Sequence, residues 1–408
     1  MNPSHGAACV AAPASRPRFE VGDIARAHGP ALLEQGGLRL EQYRVLSALG
    51  LCRTAALGGH LDECLDCGHE RPSYNSCRNR HCPKCQALAQ HRWLEGRRRR
   101  LLPVHYFHVV FTLPSELRDL FRSERRLLCG LLMRTAATTL LELGRDERHL
   151  GAQLGLSAVL HTWSRDLSWH PHVHCVVTGG GLREDGTWKS TEPGFLLPVR
   201  VLGRLFRGKL LDAIDRLHRR GHLRLPGSLG ALRDRQSFGA WLGRLYAKDW
   251  VVYCKPPFDG VDSVYAYLGR YTHRIGLSNR RLLSVTDERV TFATRHAKHT
   301  SLHPLVFLRR FLEHTLPPGF VRIRHYGLLA SSNVNTRLER AREQLARSGA
   351  VLHTAPEPEQ SEGDVEPGEE TLVELVRRLC GVDLRRCPRC GGMRMKLRAA
   401  PVARGPPR

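Results

Sequence analysis

Three histidines within five residues, His170-Pro-His172-Val-His174, stand at every second position. In an extended strand alternate side chains share a face, so two or three imidazoles can converge on one cation. An ordinary polar strand face has the same alternation. The apolar run Cys175, Val176 and Val177 tilts the reading towards metal, because it places the histidines on a buried, rigid strand. Imidazole accepts zinc, manganese and other ions, so ligand type alone does not choose the metal. Further on, Tyr267 and Tyr271 are four residues apart in VYAYLGRYTHR, which stacks them on one face if the segment is helical. Two phenols on one face could address one phosphate. Aromatic packing against a sheet is the plainer alternative. Arg270, Arg274, Arg280 and Arg281 crowd the same stretch, and a basic surround suits phosphate because it steadies the charge that develops in transfer.

A second chemistry lies in the cysteines. Cys64-Leu-Asp-Cys67-Gly and Cys82-Pro-Lys-Cys85 are paired spacings beside turn residues Gly68 and Pro83. Each pair can wrap one edge of a tetrahedral ion, so the expectation is one closed four-thiolate zinc site of Cys64, Cys67, Cys82 and Cys85. Cys77 and His81 lie close enough to replace a ligand or serve a second ion. Such a site is structural; it folds and orients a surface. Arg71, Arg78, Arg80, Lys84 and Arg92 surround it and suit phosphate contact. Cys387 and Cys390 form half of another site, which Cys380 or a partner would have to complete. An incomplete knuckle and a leftover pair in a tail remain equally open readings.

The elements that must position these groups follow from periodicity. A helix over about 38–51 precedes the cysteine-rich segment, and the run Arg97 to Arg100 continues a basic helix out of it. VHYFHVVFTL over 104–113 reads as a strand ending at Pro114, and Ser115 caps a helix running towards Leu143. Strands at 156–163 and 172–178 follow, the second closed by a turn at Gly179, Gly180 and Gly181, which lacks the Gly-Lys-Ser/Thr of a nucleotide loop. Helices at 199–219 and 232–248, a strand at 250–254, a helix at 261–271, a hairpin at 282–292, a helix at 305–314 and a strand at 321–325 complete the main body. This order makes the fold α+β. Residues 354–370 hold seven acidic side chains, three prolines and no Lys or Arg, the composition of a solvated linker. The expected units are a loose lead-in at 1–35, a zinc-binding DNA-contacting module at 36–100, a catalytic domain at 101–345, a linker at 350–370 and a tail at 371–408, with a helix at 371–379.

A chain of 408 residues with net charge +24 and a pI near 10.2 selects a polyanion as partner, nucleic acid before membrane. No run approaches the roughly eighteen apolar residues of a bilayer span, and no leader is evident near the start, so the expectation is a soluble cytoplasmic protein without a membrane partner. Thirteen cysteines, several in Cys-x-x-Cys pairs, favour zinc in a reducing compartment over disulfides.

The segments NSCRNRHCPKC, HPHVHCVVTGGG and YLGRYTHRIGLSNRRL resemble those of the two-tyrosine HUH rolling-circle transposases of bacterial insertion sequences, the IS-ninety-one group. A cysteine-rich zinc domain, a His-hydrophobe-His strand and a Tyr-x-x-x-Tyr helix occur here in that family's order, over roughly residues 40 to 345. The resemblance implies an antiparallel, ferredoxin-like nuclease sheet with helices on one face. It makes His172 and His174 ligands of a catalytic magnesium or manganese ion, and Tyr267 and Tyr271 nucleophiles. His170 lies outside the His-hydrophobe-His core, and the third ligand such nucleases use has no assigned residue. Arg78, Arg80, Lys84, Arg270 and Arg274 are the expected DNA contacts. The implied reaction cleaves and rejoins single-stranded DNA at element ends and targets through a 5′-phosphotyrosine. A zinc-dependent DNA-binding protein without cleavage, or an RNA-binding factor, would share the charge and the zinc but need no convergent His and Tyr sets.

Overall fold

The computed structural model describes residues 17–98, 100–258, 264, 269, 276–295, 297–348, 371–380 and 382–398. The expected linker at 350–370, and Tyr267, Arg270, Tyr271 and Arg274, lie outside the described residues. The chain divides into one unit of Met1–Ala89, Leu277–Arg309 and Ser361–Arg408 and another of Gln90–Gly276 and Arg310–Gln360.

In the first unit, α1 (Val21–Glu34) packs on α2 (Leu40–Leu51). Over 21–34 the first helix stands where a loose lead-in was expected at 1–35. Gly22, Gly29 and Pro30 interrupt its pattern, but Glu20 and Asp23 form a reciprocal capping box and Val21, Ile24, Ala25 and Leu32 are buried. Gly29 is where Leu46 of α2 comes close, so the residue that weakens the helix signal is a packing contact. The antiparallel pair β1 (Gly59–Cys64) and β2 (Glu70–Tyr74) follows, then α3 (Ala87–Arg98).

The second unit begins within α3, at Gln90, and continues with β3 (Tyr106–Thr112), α4 (Arg118–Ser123) and α5 (Arg125–Arg145). The single helix expected from Ser115 breaks at Glu124, whose backbone leaves helical geometry (φ −118°, ψ 48°) and whose carboxylate accepts hydrogen bonds from the amide and Nε of Arg224. α5 is the one helix among the described residues long and apolar enough to cross a bilayer. Its residues Leu128, Cys129, Leu132, Met133, Ala136 and Leu140 are buried in the main core, which makes it a core helix here.

Next come β4 (Gln153–Trp163), β5 (Trp169–Leu182), β6 (Trp188–Ser190), α6 (Val199–Arg219), α7 (Arg235–Tyr246) and β7 (Val252–Phe258). β5 runs straight through Gly179–Gly181, where a closing turn was expected. A Cβ on Gly179 would lie 2.7 Å from the His105 carbonyl oxygen and one on Gly181 2.6 Å from that of Gln153; the glycines let neighbouring backbone approach a continuing strand. A three-stranded antiparallel sheet of β8 (Leu282–Val285), β9 (Val290–Ala293) and β10 (His299–Leu302) belongs to the first unit, followed by α8 (Pro304–Glu313). The second unit closes with β11 (Ile323–Gly327) and α9 (Arg337–Arg347). The remaining elements are α10 (Leu372–Cys380) and β12 (Met395–Arg398), and β12 pairs antiparallel with β1. The expected tail at 371–408 thus supplies an edge strand of the cysteine-rich sheet.

The large sheet has the order β11-β4-β5-β3-β7, with every pair antiparallel and β6 added against β5. The fold is the expected α+β, with antiparallel sheets, helices and a small cysteine-rich module. Strand alternation divides the large sheet into two faces. Phe107, Val109 and Phe111 of β3, Leu156, Ala158 and Leu160 of β4, and Val173, Cys175 and Val177 of β5 join α5, α6 and α7 in the main core. The intervening residues face the other way, and among them are His108, His161, His172 and His174.

Candidate active site and cysteine clusters

His172 and His174 sit on the middle strand of this second face, and β4 brings His161 into direct cross-strand register with His172. One nitrogen from each of His161, His172 and His174 lies within 4.8 Å of the others, a spacing that fits three ligands of one ion. His161 stands where a third ligand could complete the pair, a position the sequence left unassigned. Its signal was present: Leu156, Ala158 and Leu160 alternate towards the core, so residue 161 must face with 157 and 159. His170 is not part of the group; its Nδ1 lies 3.3 Å from the Arg118 guanidinium.

The surroundings favour metal binding. The Nδ1 of His172 donates to the His170 carbonyl oxygen (2.7 Å), which leaves Nε2 as the lone-pair nitrogen. Burial holds His172 down to about 4 and His174 well below its ordinary value, so both are neutral at physiological pH. His108 of β3 stacks on His174, 2.8 Å from Nε2 of one to Nδ1 of the other. Burial, reinforced by Lys255 of β7, holds His108 down to about 4.

The tyrosine segment is represented by two described residues. Val264 is buried in a cluster with Leu94, Leu101, Tyr106 and Val176. Tyr106 and Val176 lie two residues from His108 and His174 on the same strands. Gly269 is close to Leu94, and its carbonyl accepts a hydrogen bond from Gln90 of α3.

The cysteines form two clusters. Cys82 and Cys85 are joined by Cys52 and Cys77, and Cys64 and Cys67 by Cys387 and Cys390. The single site expected from Cys64, Cys67, Cys82 and Cys85 is therefore corrected: β1 and β2 carry the first pair away from the second. Cys77 is the neighbour that joins the cluster, while His81 Nδ1 is taken up by Asn79 Oδ1 at 3.1 Å. Cys52, which caps the C-terminus of α2, was missed because a lone cysteine carries no spacing signal. Amide N–H groups of Cys390 and then Arg389 pull the Cys387 thiol down to about 6, while the neighbouring thiols Cys67 and Cys64 push Cys390 up to about 12. No disulfide occurs among the described residues.

The expected DNA contacts divide. Arg78, Arg80 and Lys84 are all exposed, and Lys84 pairs with Glu20 at 2.6 Å. Arg71 is committed inward, to Asp62 and to the carbonyl oxygens of Leu384 and Arg386.

The chain is thus a basic two-unit protein with a histidine cluster on an antiparallel sheet and a cysteine-rich module. A family described as putative transposase matches residues 155–337, and one described as transposase zinc-binding domain matches residues 24–113. The chain is 44% identical over 398 residues to a putative transposase, y4qJ, of Sinorhizobium fredii, covering 95% of this chain and 97% of that protein. It is 30% identical over 322 residues to the transposase for insertion sequence element IS801 of Pseudomonas savastanoi pv. phaseolicola, covering 77% and 76%. No solved structure matches the chain. The chain belongs to the IS91 family of insertion-sequence transposases, with a zinc-binding domain near its N-terminus. It acts on DNA and carries structural zinc.

Proposed function

We propose that this transposase cleaves and rejoins single-stranded DNA through a 5′-phosphotyrosine, in rolling-circle transposition of its element. The observation that carries the reading is the convergence of His161, His172 and His174 on one face of the antiparallel sheet. A divalent ion held there would polarise the scissile phosphate as a Lewis acid. Of magnesium and manganese, three nitrogen donors favour manganese, because magnesium prefers oxygen ligands. Tyr267 or Tyr271 supplies the phenol oxygen that bonds to phosphorus as the 3′-oxygen leaves with a proton. The phosphodiester energy is conserved in the protein–DNA bond, so rejoining the strand needs no ATP. The position of Val264 beside Tyr106 and Val176 supports delivery of these tyrosines to the histidine face. Arg270 and Arg274 then steady the phosphate, while Arg78 and Arg80 contact the backbone elsewhere on the DNA. Zinc at Cys52, Cys77, Cys82 and Cys85 holds the module that presents those arginines.

Labelled single-stranded DNA carrying the element's end, incubated with manganese or magnesium, tests this. The expected result is a covalent adduct with the wild type, reduced or redirected in Tyr267→Phe or Tyr271→Phe and absent in the double variant. An adduct that survives in the double variant, or tight binding with no adduct in the wild type, would overturn it.

A further inference from the structure

Two cysteine pairs from opposite ends of the described chain meet in one cluster. Cys64 Sγ lies 3.6 Å from Cys390 Sγ, and Cys67 Sγ lies 3.8 Å from Cys387 Sγ. Sulfurs in a disulfide would be about 2.05 Å apart. Four thiolates arranged tetrahedrally about zinc, each with a bond of about 2.3 Å, stand roughly 3.8 Å from one another. The observed separations match that edge. The other cluster has the same dimensions, with Cys82 3.5 Å from Cys52 and Cys77 3.7 Å from Cys85.

The two pairs are also matched turns. Each reads Cys-x-x-Cys-Gly, and the glycines Gly68 and Gly391 both take left-handed backbone (φ 68° and 78°). The amide of Gly68 donates to the Cys64 carbonyl oxygen and that of Gly391 to the Cys387 carbonyl oxygen. The Arg389 and Gly392 amides point at Cys387 Sγ and Cys390 Sγ, each at 3.4 Å, as donors that steady a metal-bound thiolate. Other contacts assemble the same joint. β1 pairs with β12 from Leu61↔Arg398 to Cys64↔Met395, Arg71 donates to the Leu384 carbonyl oxygen, and Asp66 and Glu63 pair with Arg394 and Arg398.

We propose that Cys64, Cys67, Cys387 and Cys390 bind a second structural zinc ion, which clamps residues 382–398 onto the N-terminal cysteine-rich sheet. Neither pair closes a site alone, and the matched zinc-binding domain ends at residue 113, so this ion depends on a segment outside that domain. The proposal is independent of the cleavage chemistry and stands or falls on metal content.

Native mass spectrometry of the full chain under reducing conditions should give two zinc ions. The Cys387→Ser/Cys390→Ser variant should give one, with the aromatic near-ultraviolet circular dichroism of the folded chain retained. One ion in the wild type, or two in that variant, overturns the proposal. A second measurement does not depend on any cysteine variant folding. A protease site introduced between residues 355 and 368 allows the full chain to be cut after assembly. The C-terminal fragment should then co-elute with the remainder in reductant and leave when a chelator is added. A fragment that stays after chelation shows that strand pairing holds it without metal, and one released by reductant alone shows disulfides; either overturns the clamp.

Discussion

His161 stands directly opposite His172 across the β4–β5 pair, so a third imidazole joins His172 and His174 from a strand that carries no recognisable histidine motif. Sheet register, fixed by the apolar alternation of both strands, does what spacing along the chain cannot.

His161→Ala therefore tests the site apart from the motif. Loss of a direct ligand should weaken manganese binding and strand cleavage by at least the ~10–100-fold that outer ligand-supporting groups are worth. Isothermal titration with manganese and a cleavage assay read this, and His170→Ala should leave both within a few-fold of wild type. Full activity in His161→Ala would remove it from the site.

Two of the basic residues expected near the cysteine module should not behave alike. Arg78→Ala should flatten the dependence of log affinity for single-stranded DNA on log salt by about 0.7. Lys84→Ala should change it less, since Glu20 already pairs with Lys84. Equal effects at the two positions, measured by fluorescence anisotropy, would contradict the structural distinction.

Acid should unfold the second unit through its buried imidazoles. His314 donates from Nε2 to the Leu167 carbonyl oxygen and accepts at Nδ1 from Thr162, and burial holds it down to about 3. Folded and unfolded chains are alike in its protonation above pH 6.5. Below that the unfolded state alone takes the proton, so stability falls as pH drops from about 6.5 towards 3, approaching about 4 kcal/mol from this one group. His325, held down to about 4 chiefly by burial, acts in the same direction. Denaturant melts between pH 7 and 4 should show this decline, and His314→Gln should make it shallower; an unchanged slope would exclude His314 as a source.

Gly180 has φ 156°, and a Cβ there would lie 2.6 Å from the Trp188 ring and 2.7 Å from the Lys189 carbonyl oxygen. Gly180→Ala should cost about 1–3 kcal/mol through overpacking and strain. Thermal melts should show it, together with loosening of β6; a variant as stable as wild type would mean that β6 is not held against β5 in solution.

Much of this architecture was legible in the sequence, where one periodicity dominated. The 199–219 helix and the strands expected at 104–113 and 156–163 declare themselves by apolar spacing, and His172 and His174 by alternation. What escaped were features set by contacts distant in sequence. α1 was obscured by Gly29 and Pro30, whose effect on propensity is offset by packing on Leu46. Cys52 and His161 were invisible because each is a lone residue whose partners lie on other elements. The pairing of Cys64 and Cys67 with Cys387 and Cys390 left a trace, since both pairs share a following glycine that Cys82-Pro-Lys-Cys85 lacks. Proximity along the chain instead favoured the wrong grouping.

The pairing of β1 with β12 sets a timetable on the ribosome. Cys67 and Cys387 are 320 residues apart, so at about 5–20 residues per second the early sheet waits roughly 16–64 s for its edge strand. During that interval β1 has an open edge and half a thiolate set, while the intervening residues can already form the large antiparallel sheet. A message broken between codons 348 and 387 would yield a polypeptide whose large antiparallel sheet is complete but whose cysteine-rich sheet is not. Truncated copies of the element would thus produce proteins impaired first in that module, with the histidine face left intact.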